Sequence, residues 1–181
     1  LKINEEKSEG VLISLNCETD FVAKNKDFLD FATEILNIAG NVNSIEDLLK
    51  SKTGNLTISD KLVEQTGIIG EKIEIGNFKK LSGKHIGGYV HAGNKIGAIV
   101  ALSDSTTVSE EVSKNVAMQV AAMNPLALNE NSVDASIVEK ETEIIKEQLV
   151  KEGRPENIIE NIIAGKLKRF YKDNTLVNQS Y

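Results

Sequence analysis

Two hydrophobic patterns with different periods follow each other closely in sequence near the start of the chain. Every second residue from Val11 to Cys17 is apolar, which is the pattern of a strand with one buried face. Residues 28–39 then repeat apolar side chains at three- and four-residue spacing, which predicts an amphipathic helix between an N-cap at Asn25 and a stop at Gly40. A strand followed at once by a helix that packs on it restricts this part of the chain to an α+β layer.

The following patterns extend the layer. Ile73 and Ile75 begin a second strand, whose alternation slips by one residue at Gly76, as a β-bulge would cause. Residues 85–102 form a predicted hairpin, with Gly93-Asn94 supplying the positive φ angles of its turn. We therefore predict a three-stranded antiparallel sheet with covering helices.

Further helices are predicted from apolar spacing, and they dominate the second half of the chain. In the first half they are a short helix around Ile45, Leu48 and Leu49 and a weaker helix at 58–70, with Leu62 and Val63 inside and a break at Thr66-Gly67. The next helix follows the capping-box pair Thr107 and Glu110, and its apolar stripe is Val112, Val116, Val120 and Met123. A longer helix runs from Asp134 to Gly153, and the last starts at Pro155 and runs to Phe170.

Charge and composition narrow the classes of partner. The chain has 21 basic and 27 acidic residues and a net charge of −6, without a basic stripe interleaved with aromatic residues, so nucleic-acid binding is not predicted. Its longest apolar run, Ile96 to Leu102, is far shorter than the roughly 20 residues that span a bilayer. The single cysteine, Cys17, forms no internal disulfide and is best explained as a small core residue.

Catalytic and ligand motifs are weak. Six residues separate Gly76 from Gly83 and His85 follows Lys84, whereas a phosphate-binding loop needs a shorter spacing and a Ser or Thr. His85 and His91 lack the spaced cysteine, histidine or carboxylate partners of a metal site. We therefore predict no metal, no cofactor and no direct nucleotide binding.

The seven residues between the first strand and the first helix, Thr19 to Asn25, permit two interpretations. An acidic residue followed by an aromatic one, Asp20-Phe21, could present a carboxylate and an apolar wedge to another molecule. Equally, Asp20 could be a turn or N-cap residue and Phe21 could fold back into the core. The residue pattern alone leaves both open.

Three blocks in the same order resemble the elongation factor Ts family, the guanine-nucleotide exchange factors of the translation GTPase elongation factor Tu. They are CETDFVAKN, GYVHAGNKIGAIVAL and NVAMQVAAMNPLAL, and the similarity runs from about Gly10 to about Phe170. The family's core has two sheet-and-helix subdomains, preceded by a small ubiquitin-associated-like domain and interrupted by a coiled-coil hairpin.

The resemblance implies how the chain is organised. We expect a fragment with an N-terminal core subdomain at 1–108, separated by the polar cluster Ser103 to Ser109 from the helical part of a second, incomplete sheet-and-helix subdomain at 109–166. The start of the coiled-coil hairpin is expected at 167–181. The basic end of the last helix, Lys166 to Arg169, either complements the helix dipole or contacts a partner, and the C-terminal region allows a homodimer.

The resemblance also implies a function that involves no bond chemistry, so the chain is not expected to be an enzyme. It would bind elongation factor Tu in the cytoplasm, or in an organelle, and promote exchange of GDP for GTP. An interaction domain that binds the GTPase or another protein without exchange is the alternative. Residues expected at the interface are Phe21 as a wedge near the GTPase's magnesium site, with Asp20, Thr19 and Val22 beside it, Ile96 and Gly97 on the hairpin, and Gln119, at a position that is often histidine in the family.

Overall fold

The structure, a computed structural model, describes residues 1–104 and 108–181. These form two compact units, Leu1–Ala121 and Ala122–Tyr181. The predicted capping residue Thr107 and part of the predicted boundary at 103–109 lie outside the described residues. The division at 108 and 166 stays a prediction.

Small antiparallel sheets and seven α-helices make up the described part of the chain, which confirms the α+β class. In chain order the elements are β1 (Lys2–Ile3), β2 (Glu9–Asn16), α1 (Asp20–Ala23), α2 (Lys26–Ala39), α3 (Ile45–Lys50), β3 (Lys52–Thr53), β4 (Leu56–Thr57), α4 (Ile58–Ile69), β5 (Glu74–Ser82), β6 (His85–Val90), β7 (Gly97–Leu102), α5 (Glu110–Met123), α6 (Ala135–Lys151) and α7 (Glu156–Asn174), with 3-10 turns at Glu130–Ser132 and Leu176–Asn178.

The three-stranded antiparallel sheet has the order β1-β2-β5. Its β2–β5 register confirms the predicted bulge, because Ser14 pairs with Asn77 and Leu15 with Ile75, which leaves Gly76 as the extra residue. The predicted hairpin is also present, as β6 paired with β7, but it forms a separate two-stranded sheet.

The core of the first unit lies between β2 and α2. As predicted, α2 is capped by Asn25, whose side chain accepts a hydrogen bond from the Asp27 N–H, and it ends at Gly40. The core residues are Val11, Phe28, Phe31, Ile35, Ala39, Leu48, Ile58, Leu62 and Ile73. The aromatic face of α2 therefore fixes where the preceding residues enter the fold.

Strand β2 is covered on both faces, whereas the sequence pattern predicted one buried face. A Cβ added at Gly10 would lie 2.6 Å from the Ile99 side chain and 2.8 Å from that of Ile86. The hairpin therefore packs on the face opposite α2, and the absence of a side chain at Gly10 allows this close approach.

The predictions for α4 and α5 are wrong in part. Helix α4 continues through Thr66-Gly67 and ends at Gly70, which has a φ of 78°, while Val63, predicted inside, is 72% exposed. On α5 the buried residues are Ser113 and Ala117 instead of the predicted valine and methionine stripe.

Gly87 explains why small residues of α5 are the buried ones. A Cβ at this position would lie 2.2 Å from the backbone oxygen of Ser113, so the helix backbone rests directly on β6. Small residues therefore face the hairpin, and the larger Val112 and Met123 are left exposed.

We expect Gly87→Ala to lower the free energy of unfolding by about 1–3 kcal/mol, because the added methyl group meets backbone atoms that cannot rotate away. Gly67→Ala is the matched control, since a Cβ there meets nothing within 4 Å and alanine favours a helix interior by roughly 0.5–1 kcal/mol. Amide hydrogen exchange of residues buried in the first unit should shift in opposite directions for the two variants. Unchanged exchange in Gly87→Ala would contradict the close packing of α5.

The second unit is a pair of helices, α6 and α7, with Ile145, Leu149 and Ile159 buried between them. Asp134 caps α6 by accepting a hydrogen bond from the Ser136 N–H, and Gly153 follows this helix with a φ of 68°, as a predicted stop should. Pro155 precedes α7 as its N-cap residue instead of occupying the first helical position.

The end of the second unit is anchored by Thr175, which is fully buried. Its hydroxyl donates to the Tyr171 backbone oxygen at 2.7 Å, and its backbone forms a parallel bridge with Ala127. Within the described ranges, no helix has the length and apolar content needed to cross a membrane.

Candidate functional site

The stretch between β2 and α2 folds into a single helical turn, α1. The Val22 N–H donates to the Thr19 hydroxyl at 3.4 Å, so Thr19 is the N-cap residue and Asp20 is the first residue of the turn. The suggestion that Asp20 is itself the N-cap is therefore wrong.

Phe21 points into solvent from this turn. Its side chain is 89% exposed, whereas Phe28 and Phe31, a few residues later, are buried in the core. The interpretation of Phe21 as a core anchor is therefore wrong. A large apolar ring held in water has hydrophobic free energy to gain from a partner surface.

The order of α1 must come from contacts outside it. The turn has four residues and none of them is buried, and so short a helix is unstable by itself. Glu71, in the link between α4 and β5, supplies such contacts: its carboxylate accepts hydrogen bonds from the backbone N–H of Glu18 at 3.1 Å, and from the N–H and hydroxyl of Thr19 at 2.9 and 2.6 Å. The Thr19 hydroxyl holds the pKa of the Glu71 carboxyl below its usual value.

A second contact joins α1 to the turn of the β6–β7 hairpin. The Lys95 ammonium lies 2.8 Å from the Asp20 carboxylate, and this hydrogen bond lowers the pKa of Asp20. Both side chains are largely exposed, so the pair contributes little to stability. The pair matters for the geometry of the site, because it brings the β6–β7 turn next to α1, which carries the exposed Phe21.

The hairpin residues predicted for the site follow Lys95 directly. Ile96 is 50% exposed and Gly97 is exposed at the start of β7, where an added Cβ would lie 3.1 Å from the Leu12 side chain. Through the Asp20–Lys95 contact, Asp20 and Phe21 thus lie near the end of the hairpin that carries Ile96. We name this surface, formed by residues 19–22 and 95–97, the wedge face.

Two other predicted residues contribute differently. Val22 is half-buried and packs against the core, so it fixes the inner side of the turn. Gln119 is half-buried on α5, and its assignment to the site stays a prediction.

Cys17 lies beside the site without a reactive environment. It is half-buried against the core, its Sγ donates to the Thr19 backbone oxygen at 3.4 Å, and burial raises the pKa of its thiol. A raised pKa disfavours the thiolate that nucleophilic chemistry requires.

Sequence reasoning missed the two residues that hold the turn, Glu71 and Lys95. Glu71 is 52 positions from Thr19, and no local pattern links a carboxylate after a helix to backbone N–H groups of another loop. Lys95 directly follows the predicted turn Gly93-Asn94, and nothing in that pattern links it to Asp20.

The histidines have separate partners. His85 Nε2 lies 3.5 Å from an Asp104 carboxylate oxygen, and His91 Nδ1 lies 2.8 Å from the Tyr89 hydroxyl. Over residues 1–104 and 108–181, no three histidine, cysteine, aspartate or glutamate side chains cluster as metal ligands would.

Comparison with known proteins gives a consistent result. A family model described as Elongation factor TS matches residues 18–181. The chain is 54% identical over 180 residues to Elongation factor Ts of Christiangramia forsetii, covering 99% of the chain and 66% of the relative. It is 55% identical over 179 residues to that of Flavobacterium psychrophilum, covering 99% and 65%, and 40% identical over 182 residues to that of Amoebophilus asiaticus, covering 99% and 66%. The chain thus spans slightly less than two thirds of these relatives' lengths.

Proposed function

The chain belongs to the elongation factor Ts family, and from this premise we propose that it binds elongation factor Tu and accelerates the release of GDP, so that GTP can replace it. The observation that carries the proposal is the exposure of Phe21 on an anchored turn. An aromatic side chain presented on an ordered support is typical of residues that dominate protein interfaces.

Acceleration of release requires differential binding. A factor that bound the GDP-bound and nucleotide-free GTPase equally well would shift nothing, so the wedge face must contact the nucleotide-free form, or the transition state that leads to it, more favourably. A thousandfold acceleration corresponds to roughly 4 kcal/mol of such preference. An apolar ring inserted between elements that tighten around GDP can supply a contact that exists only when they separate.

We assign Phe21 the role of the inserted wedge. Its target is the part of the GTPase domain that holds the magnesium ion, whose positive charge helps to retain the diphosphate. Asp20 lies beside the wedge, and its carboxylate, engaged by Lys95 in the free chain, is exposed to a partner.

The other predicted residues extend the contact. Thr19 and Val22 set the turn from which Phe21 projects, and Ile96 with Gly97 offers a second, smaller apolar contact from the hairpin. Gln119 is proposed as a hydrogen-bonding contact, because glutamine donates and accepts but carries no imidazolium charge.

The same proposal includes the organisation and location inferred from the family. Residues 1–108 and 109–166 would be parts of the two core subdomains, and residues 167–181 the start of a coiled-coil hairpin. The factor would act where translation takes place, in the cytoplasm or in an organelle.

The direct test is the release of a fluorescent GDP analogue from elongation factor Tu. We expect the release rate constant to rise with the concentration of this chain and then to reach a plateau, while the GTPase alone releases the analogue slowly. Binding is measured in parallel by pull-down with the tagged chain. Binding without acceleration would overturn the exchange proposal in favour of a purely interacting domain.

A further inference from the structure

We propose that Glu71 is a positioning residue for exchange, which holds the turn carrying Phe21 in its docking orientation before the partner arrives. This inference rests on the function proposed above. Glu71 does not need to touch the partner to act, because its carboxylate is already engaged by Glu18 and Thr19, immediately before α1.

The support from which Glu71 acts is fixed on both sides. Before it, Gly70 ends α4 with a φ of 78° and donates its N–H to the Thr66 backbone oxygen at 2.9 Å. After it, Ile73 is buried in the core and donates its N–H to the Thr66 hydroxyl at 3.1 Å. The Glu71 backbone is therefore held between a helix end and the core.

The contacts that Glu71 makes define a direction as well as an attachment. One carboxylate oxygen accepts both backbone N–H groups and the other accepts the Thr19 hydroxyl, so two adjacent peptide groups are oriented together. The Thr19 hydroxyl oxygen in turn accepts the Val22 N–H, which closes the turn. The direction in which Phe21 leaves the fold thus follows from Glu71 through Thr19.

Besides the Glu71 contacts, Val22 packs the inner side of α1 against the core, and one further polar contact is weaker. The ion pair of Asp20 with Lys95 joins two exposed side chains, which gain little from pairing in water. Without Glu71, the turn would sample several conformations, and it would have to be ordered on docking. The free-energy cost of ordering the turn is the same for every complex in which the chain is docked on the GTPase. It therefore weakens docking but does not slow GDP release from the docked complex.

The experiment compares the wild-type chain with Glu71→Ala, Glu71→Gln and the control Glu74→Ala. Glu74 is an exposed glutamate three positions away, whose carboxylate pairs with Lys72 at 2.6 Å. Two quantities are measured: amide hydrogen exchange at Glu18 and Thr19 in the free chain, and the concentration dependence of GDP-analogue release from elongation factor Tu.

For Glu71→Ala we expect faster exchange at both amides and an increase of about tenfold in the concentration that gives half-maximal release, with a nearly unchanged plateau. Glu71→Gln keeps one carbonyl acceptor and should fall between Glu71→Ala and the wild type. Glu74→Ala should match the wild type.

The positioning role is overturned if Glu71→Ala, folded by circular dichroism, retains both the amide protection and the concentration dependence of the wild type. It is also overturned if the plateau falls as far as the half-maximal concentration rises, since Glu71 would then act in the release step. If the wild-type chain itself fails to accelerate release, the proposed function fails and the positioning role fails with it. That case is distinguishable, because in the first two the wild type is active.

Discussion

Phe21→Ala is expected to reduce the plateau rate constant of GDP release by at least about tenfold, because truncation of an aromatic hot spot commonly costs 2 kcal/mol or more. The ring is 89% exposed in the free chain, so its removal takes away almost no intramolecular contact. The melting temperature should therefore change little. Truncation of an exposed interface residue lowers function and leaves stability nearly unchanged, whereas truncation of a core residue lowers stability.

The matched control for Phe21→Ala is Tyr181→Ala. Tyr181 is also aromatic and is 86% exposed, but it belongs to the second unit and not to the wedge face. Its truncation removes a similar apolar area and should leave release unchanged. Equal losses in both variants would indicate a general effect of surface hydrophobicity, and an unchanged plateau in Phe21→Ala would contradict the wedge assignment.

Phe21→Ala and Glu71→Ala should differ in kind. Under the proposed mechanism, loss of the ring removes a contact made as the nucleotide leaves, so the plateau should fall. Loss of the carboxylate removes the prior ordering of the turn, so more factor is needed for the same effect. Measuring both variants in one concentration series thus separates the residue that acts on the partner from the residue that orients it.

The elements that were predictable from sequence are those specified by local patterns. Helix α2 combines regular apolar spacing with a capping asparagine at one end and glycine at the other, and all of this lies within about four turns. The bulge at Gly76 was predictable for the same reason, since a bulge shifts the alternation of its own strand.

The errors came from contacts between distant segments. The stripe predicted on α5 assumed that large apolar residues face the core, but Gly87 lets the backbone at Ser113 approach so closely that only small residues fit. The wrong prediction for Val63 has a similar origin: Leu62 and Val63 are adjacent and both apolar, and their spacing in a short helix does not reveal which of them faces the core.

The candidate site shows this limit most clearly. The pair Asp20-Phe21 was visible in the sequence, yet its pattern fitted a core anchor as well as an exposed wedge. The exposure of Phe21 excludes the core anchor, and the structure adds Glu71 and Lys95, which reach the turn from 52 and 75 positions away. A carboxylate that satisfies backbone N–H groups in another loop leaves no periodic signal, so such support becomes visible only in three dimensions.

Ile35→Ala is expected to lower the stability of the first unit by about 2–5 kcal/mol, the largest stability effect that we predict. Ile35 is fully buried in the core between α2 and β2. Alanine removes three carbon atoms and leaves a cavity that neighbouring side chains fill only in part. Amide hydrogen exchange of α2 residues measures the effect directly, and it remains valid for a chain with two compact units, where a single unfolding transition cannot be assumed.

The control for Ile35→Ala is Val63→Ala, which shortens an apolar side chain that is 72% exposed and should change stability by no more than about 0.5 kcal/mol. Below its melting temperature, Ile35→Ala should still reach the wild-type plateau of GDP release, since α1 keeps its contacts with Glu71 and Lys95. Only two residues separate the end of α1 from the start of α2, so a shift of the core could be transmitted to the turn. A folded Ile35→Ala chain with the low plateau of Phe21→Ala would show that the orientation of Phe21 depends on core packing more than on its polar supports.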